Sequence, residues 1–168
     1  APSGLPDGDI GWLVGTFLAD GSWGKNGALI QIASHSEEAE RFDRLQRIAL
    51  AYDGSFAIHF HDGKSASVHI HSAILASVIR AYIAGDLAAG KHLDYRCWRR
   101  SNGFLLGLIE GYLYGDGHWD AANGRWRIGF TQNDALAADL RTICARLGAK
   151  ISLRRYDHQS QWGTFPGW

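Results

Sequence analysis

A segment of thirteen residues occurs twice in this chain. Residues 11–23 read GWLVGTFLADGSW and residues 107–119 read GLIEGYLYGDGHW, so Gly15, Asp20, Gly21 and Trp23 recur 96 positions later as Gly111, Asp116, Gly117 and Trp119. Self-similarity at a fixed offset means one supersecondary unit used twice. Each copy is an apolar run of helical length closed by Asp-Gly, and glycine just past the last turn is the commonest helix stop. Two helices, apolar nearly all round and therefore buried, are predicted.

The residues after each copy follow the same order. After the first come a predicted strand over 28–34, a helix over 37–52, alternating strands over 55–61 and 65–71, and a helix over 73–84. After the second come a strand over 126–132, a helix over 134–149 and a strand over 150–156, with the tail HQSQWGTFPGW left for a short last strand. No residues remain for a final helix, so the second unit reads as truncated. The 168 residues suit one domain or two small repeats sharing a core. At 46% hydrophobic and 20% charged the chain is neither disordered nor fibrous.

Cys97 and Cys144 stand 47 positions apart, which indicates buried thiols rather than a disulfide framework or a thiol zinc site. The stretch APSGLPDGDIG has no basic start followed by an apolar segment, and no run of 18 apolar residues occurs; an intracellular, cytoplasmic protein is expected. Net charge is +0, which removes the simplest argument for a nucleic-acid partner. The sum conceals a split, because residues 1–98 carry 8 Lys/Arg and 11 Asp/Glu, whereas residues 99–168 carry 9 and 6.

Alternation in the strands separates two faces. Ile58, Phe60, Val68 and Ile70 fall on one side, and His59, His61, Ser67, His69 and His71 on the other. In the second unit Trp126, Ile128 and Phe130 alternate with Arg125, Arg127, Gly129 and Thr131, and Ile151 and Leu153 with Lys150, Ser152 and Arg154. One sheet face is therefore apolar and helix-covered, while the other is polar: either a solvated face or a surface that reads a polar ligand. His59, His61, His69 and His71 offer a metal cluster across a hairpin as a further alternative. The acidic stretch 37–43 is expected to face solvent, and Trp23 and Trp119 to pack in the core.

Gly15 and Gly111 lie mid-helix, where two backbones can approach closely. If the two helices pack together, Asp20 and Asp116 end side by side at helix C-termini, where partial negative charge and mutual repulsion both work against them. A divalent cation shared with phosphate oxygens would compensate, and Mg²⁺ suits two carboxylates with phosphates and water. The pattern points to metal-assisted phosphodiester chemistry.

The segments LVGTFLADG (13–21) and IEGYLYGDG (109–117) resemble the motif of the LAGLIDADG homing endonucleases, in their single-chain, two-motif form often found within inteins. The resemblance implies an α+β fold of two pseudo-symmetric αββαββα repeats, over 1–98 and 99–168, with antiparallel saddle-shaped sheets laid into the DNA major groove. It implies a monomer that cuts both strands of a long asymmetric site and leaves 3′ overhangs. Asp20 and Asp116 would be the catalytic, metal-binding acids, Gly15 and Gly111 the helix interface, and Lys91 and Gln132 supporting catalytic positions, with Ser34 at the place matching Gln132. Mg²⁺ would be the cofactor, with Mn²⁺ a substitute and Ca²⁺ supporting binding alone. Gln31, His59, His61, His69, His71, Arg125, Arg127, Lys150, Arg154 and Arg155 would contact DNA, and Arg can pair bidentately with guanine. Two alternatives share the scaffold: a sequence-specific DNA-binding protein that does not cut, and an RNA-splicing maturase.

Overall fold

The computed structural model describes residues 5–25, 27–85, 87–129 and 131–168. Helix α1 (Asp7–Asp20) leads into β1 (Gly21–Trp23) and β2 (Leu29–His35), then α2 (Ala39–Ala51), β3 (Ser55–Phe60), β4 (Ser65–His71) and α3 (Ala73–Tyr82). A connection holding the two-residue strands β5 (Ile83–Ala84) and β6 (His92–Leu93) and a 3₁₀ turn (Tyr95–Arg99) reaches the second series. That series runs α4 (Asn102–Asp116), β7 (His118–Asp120), β8 (Arg125–Arg127), α5 (Asp134–Arg146), β9 (Tyr156–Ser160) and β10 (Gly163–Gly167). The fold is mixed α and β with antiparallel sheets, and the second series repeats the order of the first as far as β10.

The first sheet has the order β1-β2-β4-β3, with Gln31 opposite His69 and Ile58 opposite Val68. Ile30, Ile32, Val68 and Ile70 are wholly buried under the helices. Phe60 departs from the expected covered face. It is 64% exposed, because it ends an edge strand; its ring meets that of Phe42 edge-on, at 6.4 Å.

In the second series β7 pairs β8 and β9 pairs β10. Thr131 and Trp168 exchange backbone hydrogen bonds of 3.0 and 2.8 Å, which ties the residue after β10 to the segment that follows β8, while the two hairpins remain separate two-stranded sheets. The strand expected over 126–132 ends at Arg127. Gly129 turns left-handed (φ 97°), a conformation that breaks a ladder; Phe130 lies outside the described residues. The strand expected over 150–156 is displaced to Tyr156–Ser160, because β10 sets Gly167 opposite Tyr156 and Trp168 turns to Thr131, leaving 150–155 without a facing strand among the described residues. Ile151 still packs against the core.

The core is centred on α1 and α4, which run parallel and in contact. Methyls added at Gly11 and Gly15 would overlap the carbonyls of Phe104 and Leu108, and methyls at Gly107 and Gly111 those of Gly8 and Trp12. Only glycine permits this approach, and Leu13, Val14, Phe17, Phe104, Leu105 and Leu108 close fully over it. Both motif glycines end their helices, but not in the left-handed conformation that glycine often adopts there. Gly21 (φ −84°, ψ 149°) and Gly117 (φ −83°, ψ 159°) are extended and send the chain directly into β1 and β7. Glycine is needed there for room: a methyl at Gly21 would strike the Phe17 ring, and one at Gly117 the Leu113 backbone.

Overpacking a closed core costs about 1–3 kcal/mol, occasionally more. Gly15→Ala and Gly111→Ala are each expected to lose about 3 kcal/mol in urea unfolding. Gly8→Ala, whose methyl would lie 3.5 Å from Gly103 O, is expected to be neutral or slightly stabilising. Equal effects at all three positions would contradict the close-packed interface.

Candidate active site

Parallel packing brings Asp20 and Asp116 to the same end of the helix pair. A methyl at Gly115 would overlap Asp20 Oδ2, so the first carboxylate rests against the residue just before the second. Asp116 keeps access to solvent, yet partial burial first and the Asp20 charge second hold its carboxyl above the usual carboxylate range. The Tyr112 hydroxyl donates to Asp116 and works the other way, and burial together with that carboxylate pushes the Tyr112 phenol well up.

Two cations answer this concentration of negative charge. Lys91 is 4% exposed, and its Nζ donates to Phe17 O at 3.1 Å and Gly21 O at 2.5 Å. Those carbonyls end α1, where a cation complements the helix dipole. Burial pulls the Lys91 ammonium below its usual range, while Asp20 and Asp116 pull it back up. The backbone around it is fixed from the second series: Asn133 Nδ2 donates to Lys91 O at 2.6 Å and Ala88 O at 3.3 Å. Leu93 N donates to Asp139 Oδ2 at 2.9 Å.

The other cation is Arg41, which lies within the acidic stretch 37–43 that is expected to face solvent. It is buried, and Nη2 meets Asp20 Oδ2 at 2.5 Å while Nη1 meets Glu38 Oε2 at 3.2 Å. The signal for it was an arginine flanked by Glu38, Glu40 and Asp43 near a helix start, which reads equally as a surface salt-bridge cluster. Asp43 and Glu40 are exposed, as expected. A cleft of about 420 Å³ beside the pair is lined by Asp20, Ser34, Glu38, Arg41, Lys64 and Gly115, among others. Ser34 Oγ is buried there with no hydrogen-bond partner among the described residues; Gln132 is exposed.

On the polar face of the first sheet, Gln31 Nε2 lies 3.3 Å from His69 Nε2, Ser67 Oγ 3.3 Å from the same nitrogen, and His61 Nε2 3.0 Å from Ser67 Oγ. His59 stacks on His69 with centroids 4.2 Å apart, and His71 is exposed further along β4. Burial, then His59 and His61, hold the His69 imidazolium below its usual range. Among the described residues no group of three or more His, Cys, Asp or Glu is placed to hold a metal. The histidine metal cluster therefore does not form; the rings stack and share one hydroxyl instead.

Arg125 and Arg127, expected as free basic contacts, both reach Asp120 Oδ2, at 3.4 Å and 2.8 Å. Asn123 first and Arg127 second bring the Asp120 carboxyl down to about 2, so half of that pair's charge is already neutralised. Trp119 is 47% exposed rather than core-packed, and it leans on Trp126 because a hairpin of two three-residue strands has no helix over it. Trp23 does join the core, stacked on Phe17 at 4.6 Å. Lys150 and Arg154 are exposed, and Arg155 lies over the Trp168 ring. Both cysteines are free and buried, and among the described residues no helix is long and apolar enough to cross a membrane.

No family model matches the chain. It is 31% identical over 150 residues to iron-sulfur cluster assembly SufBD family proteins of Mycobacterium bovis and Mycobacterium tuberculosis, a match that takes in 85% of this chain and only 18% of theirs. The chain thus spans less than a fifth of the length of these curated relatives. Among solved structures it superposes on a mesophilic variant of the homing endonuclease I-DmoI with a TM-score of 0.62 at 16% identity, over 96% of this chain and 87% of that one. Full-length DUF199/WhiA from Thermatoga maritima gives 0.61 at 13% identity, over 98% and 51%. The N-terminal LAGLIDADG domain of DUF199/WhiA gives 0.57 at 12% identity, over 99% and 78%. The fold is that of the LAGLIDADG proteins. Within it the chain resembles the I-DmoI homing endonuclease and the LAGLIDADG domain of WhiA along nearly its whole length.

A carboxyl whose folded-state pKa is raised binds protons more readily in the native state, so it adds stability as pH falls toward its unfolded value and opposes folding as pH rises through the folded one. Asp116→Asn is therefore expected to raise the metal-free melting temperature by a few degrees at neutral pH, with the gain vanishing in mild acid. A loss of stability at neutral pH would contradict the strained carboxylate.

Proposed function

We propose that the chain is a site-specific endonuclease for double-stranded DNA that uses Mg²⁺ held by Asp20 and Asp116. The observation that carries this reading is the juxtaposition of the two carboxylates: the close α1–α4 contact brings two acids to one end of the helix pair, and crowding them works against stability, since one is held above its usual pKa. Among the described residues no third His, Cys, Asp or Glu joins the two aspartates, which suits an ion that takes its remaining ligands from phosphate oxygens and water. Asp116 is open to solvent, and Arg41 engages only Oδ2 of Asp20, which leaves Oδ1. A divalent cation bound there would supply a water acidic enough to attack a phosphodiester and charge to stabilise the leaving oxygen.

The chain's own residues do the rest. Tyr112 orients Asp116, Lys91 holds the end of α1 in place, and the polar face with Gln31, His59, His61, His69 and His71 offers donors and acceptors to base edges in a major groove. Arg125, Arg127, Lys150, Arg154 and Arg155 supply cations for phosphates in the second half, and Gln132 stands exposed on that side. The two repeats, 1–98 and 99–168, each present one half of the surface, so a monomer provides both carboxylates.

Support comes from I-DmoI, solved with its target DNA in the presence of Mn or Mg and in a complex with DNA and Ca. By analogy Mn²⁺ would substitute for Mg²⁺, and Ca²⁺ would permit binding. The match to a minor part of iron-sulfur cluster assembly proteins is what an intein-borne endonuclease unit would give, and such a unit would act inside the cell. The buried Arg41–Asp20 pair favours a second reading, sequence-specific DNA binding without cutting.

Incubation with a randomised duplex library, in Mg²⁺ and separately in Ca²⁺, tests both. A single long motif cut with 3′ overhangs in Mg²⁺ alone is expected, and Asp20→Asn or Asp116→Asn should abolish cutting while binding changes by less than about threefold, since neither carboxylate reads bases. Retention of one motif without cutting would establish the binder. Neither outcome, with retention of structured intron RNA instead, would overturn the DNA reading.

A further inference from the structure

The motif carboxylates occupy equivalent places in the two repeats, but their surroundings differ. Arg41 is the third residue of α2; the third and fourth residues of α5 are Leu136 and Ala137, both buried. Asp20 therefore has a buried guanidinium in direct contact, and Asp116 has a phenol hydroxyl. The Arg41 fork is fixed on its other side by Glu38 Oε2 and by Ala33 O at 3.4 Å, while its Nε is buried with no partner among the described residues. These contacts hold the Arg41 guanidinium beside Asp20, where a buried charge needs its partners.

A carboxylate already paired with a guanidinium gains less from a second cation, since the two positive groups repel across it. A carboxylate crowded by another acid gains more. We infer that Arg41 is a positioning residue that makes the two carboxylates unequal toward divalent metal, so that the first cation settles at Asp116 and a second reaches Asp20 more weakly, through Oδ1. This rests on the reading of both carboxylates as metal-holding. Arg41 does not touch the reacting atoms; it acts by fixing the rotamer and charge of Asp20.

The test is a titration of the full chain with Tb³⁺, read as luminescence sensitised by Tyr112 and Tyr114, the tyrosines beside Asp116 and Arg41. The wild-type chain is expected to fill in two steps separated on the order of tenfold in affinity, the ratio given by one modest ionic interaction. Asp116→Asn should remove the tight step and Asp20→Asn the weak one. Arg41→Gln should bring the steps together, and Arg41→Lys should keep them apart. Two steps unmoved by Arg41→Gln, or loss of the tight step in Asp20→Asn, would overturn the inference alone. No Tb³⁺ bound by the wild-type chain would overturn it together with the metal-holding reading. If Arg41→Gln loses cooperative melting, the two aspartate variants decide the outcome.

Discussion

The contact between α1 and α4 is the constraint on which the other features depend. Glycines at 11, 15, 107 and 111 let each backbone rest on the carbonyls of the other, and at that separation the helices can slide or rotate little without steric overlap. Packed interiors are bistable rather than continuously deformable. The position of the two helix ends is consequently set by backbone contact, and the carboxylates at those ends inherit it. At the opposite end the same pair is closed by Asp7 of α1, which accepts from Arg100 and from Ser101, the N-cap of α4.

Parallel helices bring two partial negative charges together at their C-termini, and Asp20 and Asp116 add two more. The compensation is asymmetric. Lys91 caps the carbonyls of α1 and is itself held by Asn133, which at the same time caps α5. The connection between the repeats is thereby tied to the second half while its side chain serves the first. Arg41 comes from α2, whose next turn places Arg44 on Asp9 at 2.8 Å and over the Trp12 ring. One helix thus neutralises both ends of α1. Nothing among the described residues performs this service in direct contact with Asp116, and that is the carboxylate with a raised pKa.

The repeat, the two buried helices, the close approach at Gly15 and Gly111, and the order of β2, α2, β3, β4 and α3 were legible in the sequence, because an apolar run closed by Asp-Gly and strict alternation are local signals; β1 and β7, three residues each, were not read as strands, since so short a segment carries no periodicity. β4 begins and ends at the predicted residues, 65 and 71. The hairpins of the second series were not legible in the same way. Lys150 to Arg155 alternates well, but strand formation needs a partner, and the turn after Ser160 sets a register that excludes it. The fate of Arg125 and Arg127 depended on Asp120, five and seven residues before them, and that pairing forms only once a hairpin folds. Arg41 escaped notice for a related reason: twenty-one residues separate it from Asp20, and only the angle of α2 across α1 joins them. Lys91 was singled out through the family resemblance, whereas its contacts with the α1 carbonyls could be seen only in the structure.

The claim at the centre of this account is that helix packing couples Asp20 and Asp116 electrostatically, so that the charge on one acts on the other. Carbon-13 NMR titration of the Asp116 carboxyl, in the metal-free wild-type chain and in Asp20→Asn, measures it most directly. The account predicts an apparent pKa above the ordinary aspartate range in the wild type and a shift downward when Asp20 loses its charge. An ordinary value that ignores Asp20→Asn would contradict it.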